Sequence, residues 1–214
     1  MERALQSQGC LTSSSVQIEG KYVMAKKFLL INGSPRPQNN TGRMLKIFAE
    51  AMAEYGCECE MVDLRTMELE MCHGCLACFK TGRCIGKDKL NELMEKIEAA
   101  DGLILGSPVY YGSVSAQLKT FMDRIGLLGE AHGRSLRGKI GGSISVARRW
   151  GHLSVQAEMM LWFDRVEMNH VGCGWCSATS TDNNDISTDD EGLHYPVRLA
   201  ENIAKLMNLS KINQ

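Results

Sequence analysis

Four cysteines lie in one short stretch, Cys72, Cys75, Cys78 and Cys84, spaced C-x2-C-x2-C-x5-C. Thiolates this close can converge on one centre, and Gly74 and Gly82 let the chain turn between them. Zinc sites usually draw on two separated pairs, whereas a compact C-x2-C-x2-C run lets one loop wrap a cubane cluster. The fourth cysteine is local and not followed by proline, unlike the bacterial ferredoxin run. On spacing alone a cluster, a zinc ion and metal-free thiols stay open. His73 reads as a bystander, because four thiolates already account for a cluster's positions.

A second polar group lies between an apolar run at 28–31 and a helix pattern: Asn32-Gly33-Ser34-Pro35-Arg36-Pro37-Gln38-Asn39-Asn40-Thr41-Gly42. It matches neither G-x-G-x-x-G nor G-x-x-x-x-G-K-[ST], so dinucleotide and nucleoside-triphosphate fingerprints are absent. Hydroxyls (Ser34, Thr41), amides (Asn39, Asn40), the Arg36 guanidinium and a helix N-terminus together suit one phosphate monoester dianion. The alternative is an ordinary polar turn from strand to helix. Cys173 and Cys176 form a further C-x-x-C, read as a buried pair in preference to a redox dithiol. Cys57 and Cys59 alternate as core residues, and Cys10 is expected to be inert.

The elements that position these groups alternate in type. Residues 28–31 read as a strand buried on both faces. Leu45, Phe48, Met52 and Tyr55 share a helix face that ends at Gly56, and 57–64 alternates as a second strand. Asp88 is placed to cap a helix with Leu90, Leu93, Met94 and Ile97 on one side. A third strand at 103–105 leads to a helix from about Ser113. A fourth strand covers 140–146, although Gly141 and Gly142 weaken it. A helix over about 153–166, a fifth strand at 171–173, and a last helix with Pro196 in its first turn complete the pattern. The expectation is a doubly wound five-stranded parallel α/β sheet with helices on both faces, one domain over 24–214. The cysteine-rich loop occupies 66–87. Residues 1–23 are expected to be an extension with little regular structure, and Met24-Ala-Lys-Lys resembles a translational start. The acidic run from Asp182 to Glu191 reads as a solvated loop, since it lacks regular calcium-ligand spacing.

At 214 residues, 44% hydrophobic and 23% charged, the chain has a globular composition and room for one substantial domain. Lys plus Arg number 24 against 25 for Asp plus Glu, a net charge of -1 that argues against a nucleic-acid partner. No apolar run approaches the roughly 18 residues of a membrane span, and no secretory h-region opens the chain. With nine cysteines, an odd number, it reads as cytoplasmic, its thiols serving as ligands, redox groups or core.

Gly33-Ser34-Pro35-Arg36 followed by Asn40-Thr41 resembles the FMN phosphate loop of the NADPH-dependent FMN reductase and iron-sulfur flavoprotein families, which share the flavodoxin-like fold. Gly106-Ser107-Pro108-Val109-Tyr110-Tyr111-Gly112-Ser113, continuing to Asp123-Arg124, resembles the families' flavin-ring loop. Ala147-Arg148-Arg149-Trp150-Gly151-His152 stands where they place a second ring-contacting loop. The resemblance covers about 27–175. It implies FMN held by Ser34, Arg36, Asn39, Asn40, Thr41, Pro108, Val109, Tyr110, Tyr111, Gly112, Ser113, Ala147, Arg148, Arg149 and Gly151. Pro108 and the tyrosines offer a flat wall for the ring. The amides of 111–113, expected to begin a helix, face its polar edge, and Arg148 or Arg149 balances the reduced, anionic flavin. Trp150 and His152 divide evenly between ring contact and packing. The flavin carries the chemistry, so no side chain is assigned as catalytic.

The cysteine spacing resembles the motif that holds a [4Fe-4S] cluster in iron-sulfur flavoproteins, a likeness that runs on into Lys87-Asp88. The families' implied partners are ferredoxin or another one-electron carrier, and a small acceptor such as dioxygen, peroxide or a quinone. A homodimer or homotetramer with the flavin at its interface is also implied, with the aromatic loop at 110–111 and Met159 and Met160 as contact surfaces. The rivals are a cluster-free NAD(P)H-dependent reductase of FMN, quinones, nitro or azo compounds, and a non-enzymatic flavin- or zinc-binding module.

Overall fold

The computed structural model describes residues 15–18, 21–180 and 185–212. Part of the expected N-terminal extension forms an antiparallel hairpin, β1 (Ser15–Ile18) with β2 (Lys21–Met24). Residues 1–14 with Cys10, and 181–184 of the acidic run, lie outside the described residues.

The main sheet opens with β3 (Lys27–Asn32), whose apolar residues alternate between two cores. Phe28 and Leu30 enter one, Leu29 and Ile31 the other. The first core is closed by α1 (Asn40–Ala53) through Met44, Leu45, Phe48 and Met52. Next, β4 (Glu58–Asp63) lies parallel beside β3. The cysteine-rich loop holds the short α2 (Ala77–Thr81) and leads to α3 (Leu90–Ala99) on the second core. β5 (Gly102–Pro108) pairs with the other side of β3, and α4 (Ala116–Ala131) covers it with Leu118, Phe121, Met122 and Ile125. β6 (Ile140–Ala147) pairs with β5, and α5 (His152–Arg165) packs on the same side as α4 through Val155, Met159 and Phe163. The chain ends through β7 (Asn169–His170), β8 (Ser177–Thr179) and α6 (Asp190–Leu206), which joins α1 on the first core. Each fully buried apolar side chain contributes about 1.5–3 kcal/mol toward this arrangement.

All pairings in this sheet are parallel, in the order β4-β3-β5-β6, with β7 and β8 both against β6. This is the doubly wound α/β sheet expected, with helices on both faces. Its strand order reverses at β3, so the carboxyl ends of β3 and β5 open a crevice. No helix among the described residues is long and apolar enough to cross a membrane.

Four local expectations are corrected. Residues 171–173 are not a strand: the fifth strand is split into β7 and β8, and six strands fill five positions. Between the pairs Gly141↔His170 and Ser145↔Ser177, residues 142–144 of β6 face residues 171–176, so the surplus must leave the sheet. Asp88 does accept from Leu90 N at 3.2 Å, but its carboxylate is mainly engaged by Arg124. The helix expected from Ser113 starts at Ala116, with Ser115 Oγ accepting from Leu118 N at 3.2 Å. The last helix begins at Asp190, where Asp189 accepts from Gly192 N at 2.9 Å, so Pro196 sits beyond its first turn. The strand at Ile140–Ala147 holds despite its glycines, because the neighbouring ring needs the room. A Cβ on Gly141 would lie 2.6 Å from Phe163 Cδ1.

Candidate functional site

At the end of β3, the buried Asn32 accepts from Ser34 N at 3.1 Å and donates to Asp63 Oδ1 at 2.7 Å, which sets the direction of the loop. The loop is tied across the crevice, with Gly33 N donating to Gly106 O at 2.8 Å and Ser115 Oγ to Gly33 O at 2.6 Å. Asn39 caps α1, accepting from Gly42 N at 2.6 Å and donating to Arg36 O at 2.9 Å. Its side chain therefore shapes the loop. Ser34, Arg36, Asn39, Asn40 and Thr41 line one wall of a cleft of about 180 Å³. Pro108, Val109, Tyr110, Ala147 and Arg148 line the other, joined by Val146 and Ser180. Two guanidiniums and the N-terminus of α1 make this cleft favourable for an anion.

Residues 110–113 form a tight turn and do not begin a helix. Tyr110 N donates to Ser113 O and Ser113 N to Tyr110 O, both at 3.0 Å, with Tyr111 at φ 50° and Gly112 at φ 78°. The turn is held from α5: Glu158 Oε2 accepts from Ser113 Oγ at 2.8 Å and Val114 N at 3.1 Å. Ser154 Oγ donates to Gly112 O at 2.5 Å. Tyr111 is thereby left fully exposed, and Trp150 is 69% exposed. Both line a second hollow of about 420 Å³ with Gly112 and Arg149, continuous with the cleft through Val109, Tyr110 and Arg148. Ser113 and Gly151 line neither; Ser113 is engaged by Glu158, and Gly151 starts α5 at φ 91°. His152 turns away, its Nε2 lying 3.2 Å from Ala178 O.

Val146, Ser180 and Glu158 escaped the sequence reading. The first two stand at carboxyl ends of strands, where open parallel sheets bind ligands, so that rule would have found them. Nothing local marks Glu158.

In the cysteine-rich loop, left-handed residues turn the chain at Gly74 (φ 62°), Leu76 (φ 53°) and Gly82 (φ 68°). Leu76 bears this at about 1–2 kcal/mol. Cys72, Cys75, Cys78 and Cys84 thereby line one hollow of about 420 Å³, walled by Met71, Leu76, Ile85 and Leu128, with Arg124 behind and His73 at its rim. Cys72 and Cys75 are exposed, Cys78 and Cys84 half-buried. Burial pushes the Cys78 thiol up. Among the described residues, no three His, Cys, Asp or Glu side chains are grouped to hold a single metal ion.

Arg124 is 3% exposed, and its guanidinium donates to Cys84 Sγ at 3.1 Å, to Glu70 O at 2.9 Å and to both oxygens of Asp88. Burial alone would raise the Asp88 carboxyl, but hydrogen bonds from Arg124 and from the amides of Glu70 and Leu90 hold it below the usual range. Asn91 brackets Cys84 from α3, accepting from its N–H and donating to its C=O, each at 2.9 Å. His132 clamps the loop from α4, with Nε2 2.7 Å from Gly82 O and Nδ1 2.7 Å from Glu98 Oε1.

Those two contacts, the Gly82 carbonyl first, raise the His132 imidazole above its ordinary value. Its stabilisation is therefore complete below the unfolded value of about 6.5 and is lost as pH rises through the folded one. Urea midpoints should fall across that window, and His132→Ala should flatten the fall. An equal slope in both proteins would refute the clamp.

The sequence profile of the NADPH-dependent FMN reductases matches residues 26–182, which takes in both clefts and the cysteine-rich loop. The chain belongs to the NADPH-dependent FMN reductase family. This FMN reductase family member is 37% identical over 193 residues to an iron-sulfur flavoprotein of Methanocaldococcus jannaschii, covering 86% of this chain and 99% of that one. It is 41% identical over 116 residues to an iron-sulfur flavoprotein of Archaeoglobus fulgidus, covering 54% of this chain and 52% of that one. Among solved structures, RosB with a bound 8-demethyl-8-formylriboflavin-5'-phosphate intermediate is similar in fold. Its TM-score is 0.68 at 18% identity, over 86% of this chain and 79% of that one. As a member of the FMN reductase family, the chain is an FMN-dependent oxidoreductase.

Proposed function

We propose that this FMN reductase family member is an electron-transfer flavoprotein that carries a [4Fe-4S] cluster on Cys72, Cys75, Cys78 and Cys84. It would exchange electrons between a one-electron carrier such as ferredoxin and a small acceptor. The observation that carries this reading is the placement of all four thiols around one hollow, with a buried cation at the sulfur of the last. The donor set fits: thiolates on the four corners of a cubane stand farther apart than thiolates that share one ion, and an apolar wall shields them from water. The names of the relatives from M. jannaschii and A. fulgidus support the same reading.

When bound, FMN supplies two-electron chemistry and the cluster one-electron chemistry. The chain's own residues bind and orient. Ser34, Arg36 and the first amides of α1 suit the phosphate. Pro108, Val109 and Tyr110 form the wall against which a ring can lie, and Glu158 and Ser154 hold the 110–113 turn at its rim. Arg148, common to both clefts, is better placed than Arg149 to balance negative charge on the ring. The outer hollow is open to a nicotinamide from NAD(P)H. The exposed Tyr111 and Trp150, which line this hollow, support a second copy of the chain covering it.

The deciding experiment is an absorption spectrum of protein purified without oxygen, with iron and sulfide counted on the same sample. A broad shoulder near 400 nm beneath the flavin bands, with about four iron and four sulfide per chain, is the expected result. Flavin bands without iron would assign the cluster-free NAD(P)H reductase instead. For the FMN cleft, Ser34→Ala and Arg36→Ala should each weaken FMN binding by about 1–3 kcal/mol if each side chain makes a charge-assisted bond. Unchanged affinity in both, by fluorescence titration of the apoprotein, would remove the phosphate assignment.

A further inference from the structure

The guanidinium behind the cysteine hollow has a geometry that a purely structural ion pair does not need. Nη2 of Arg124 is shared between Asp88 Oδ1 and Cys84 Sγ, each at 3.1 Å, while Nη1 serves Asp88 Oδ2 and Glu70 O. Asp88 fixes this fork and is itself fixed by the amides of Glu70 at 2.9 Å and Leu90 at 3.2 Å. The approach to the sulfur is open because residue 86 has no side chain: a Cβ on Gly86 would lie 2.4 Å from Nη2. The Gly86 backbone is not left-handed, so what this glycine supplies is room. Buried thiols elsewhere in the chain face carbonyls instead. Cys57 Sγ lies 3.9 Å from Tyr55 O, and Cys173 Sγ lies 3.4 Å from Tyr195 O.

The placement bears on charge. An electron arriving from a one-electron carrier adds one negative charge to a thiolate-ligated centre, with no bond made or broken and no proton moved. A cation and an N–H donor at one of its sulfurs stabilise that added charge and so raise the reduction potential. At 2% side-chain exposure the guanidinium acts through a low dielectric, without water to screen it. Lys87 and Glu70 also line the hollow, but both are exposed, so solvent and salt screen them. Within the buried pair it is the cation that touches the sulfur. Asp88 therefore orients the guanidinium and offsets only part of its charge.

We propose that Arg124 raises the reduction potential of the cluster through its bond to Cys84 Sγ, with Gly86 kept bare to admit it. The proposal rests on the assignment of a [4Fe-4S] cluster to Cys72, Cys75, Cys78 and Cys84. Arg124 is then a positioning residue, acting through a ligand sulfur and touching neither flavin nor acceptor. Its effect is to let a milder one-electron donor reduce the centre.

The test is a potentiometric titration of the full chain with both cofactors, purified without oxygen and followed by electron paramagnetic resonance. Iron content and urea midpoints are measured on the same preparations. Gly86→Ala keeps every charge and every cysteine, yet should lower the potential by pushing the guanidinium off the sulfur. Arg124→Met with Asp88→Leu should lower it further, by at least tenfold in the reduced-to-oxidised ratio, or about 59 mV for a one-electron couple. Asp88→Asn leaves the donor and removes the balancing carboxylate, so it should raise the potential. A structural role alone would not move the potential in opposite directions. Lys87→Ala should leave it in place. Equal potentials in wild type, Gly86→Ala and the double variant, all with full iron, would overturn the proposal and leave the cluster assignment standing. Loss of iron from both lowering variants at unchanged urea midpoints would also overturn it, making Arg124 an anchor of the ligand loop. A wild-type chain without iron would remove the cluster reading, and this proposal with it.

Discussion

Arg124→Met should destabilise the folded chain by about 3–5 kcal/mol, the cost of breaking a buried ion pair by removing one partner. The side chains of Arg124 and Asp88 are 2% and 6% exposed, so water cannot replace the lost partner. The substitution leaves the Asp88 carboxylate with only the amides of Glu70 and Leu90, and it frees Glu70 O and Cys84 Sγ. Removing both charges together, in Arg124→Met with Asp88→Leu, should recover most of the loss, because no uncompensated charge then stays buried. Equilibrium urea unfolding of the apoprotein measures both variants. A loss below about 1 kcal/mol in the single variant would mean that the pair is more solvated than its burial indicates.

Cys75→Ser should abolish iron binding while FMN stays. Cys75 is exposed and has no core contact, so its loss should leave the fold intact and act only on the proposed cluster. Iron per chain should fall from about four to below one, since a cubane with three anchors is readily lost. Cys57→Ser, in the core beneath α1, should change neither cofactor. Equal iron in wild type and Cys75→Ser would show that the ligands lie elsewhere.

Much of this architecture is legible because strands buried on both faces must be continuous apolar runs, as at Phe28 to Ile31, and covering helices must show one apolar face. The polar loop beyond β3 is legible as the strand-to-helix connection at the mouth of the crevice, where Asn39 caps α1. What escaped depends on distant partners. The break in the fifth strand follows from the pairing of β6 with residues on both sides of the surplus, which apolar Val171 and Cys173 do not reveal. Asp88 looks like a helix cap until Arg124 is brought to it from the middle of α4. The left-handed Tyr111 is imposed by the bonds of Glu158 and Ser154 to its turn, and no local preference of tyrosine foretells it. The four cysteines of the loop are plain in the sequence, but that they share one hollow is a fact of Gly74, Leu76 and Gly82.

The split of the fifth strand has a colloidal consequence. An open sheet ends in two rims of unpaired amides and carbonyls, and a long flat rim is a template for aggregation. Here one rim is interrupted into pieces of two and three residues, Asn169–His170 and Ser177–Thr179. The other, Glu58–Asp63, is bordered by the carboxylates of Glu58 and Glu60. The split rim thus offers a neighbouring molecule only short runs of strand to extend, and the carboxylates on the other rim disfavour a like-charged copy of the same edge.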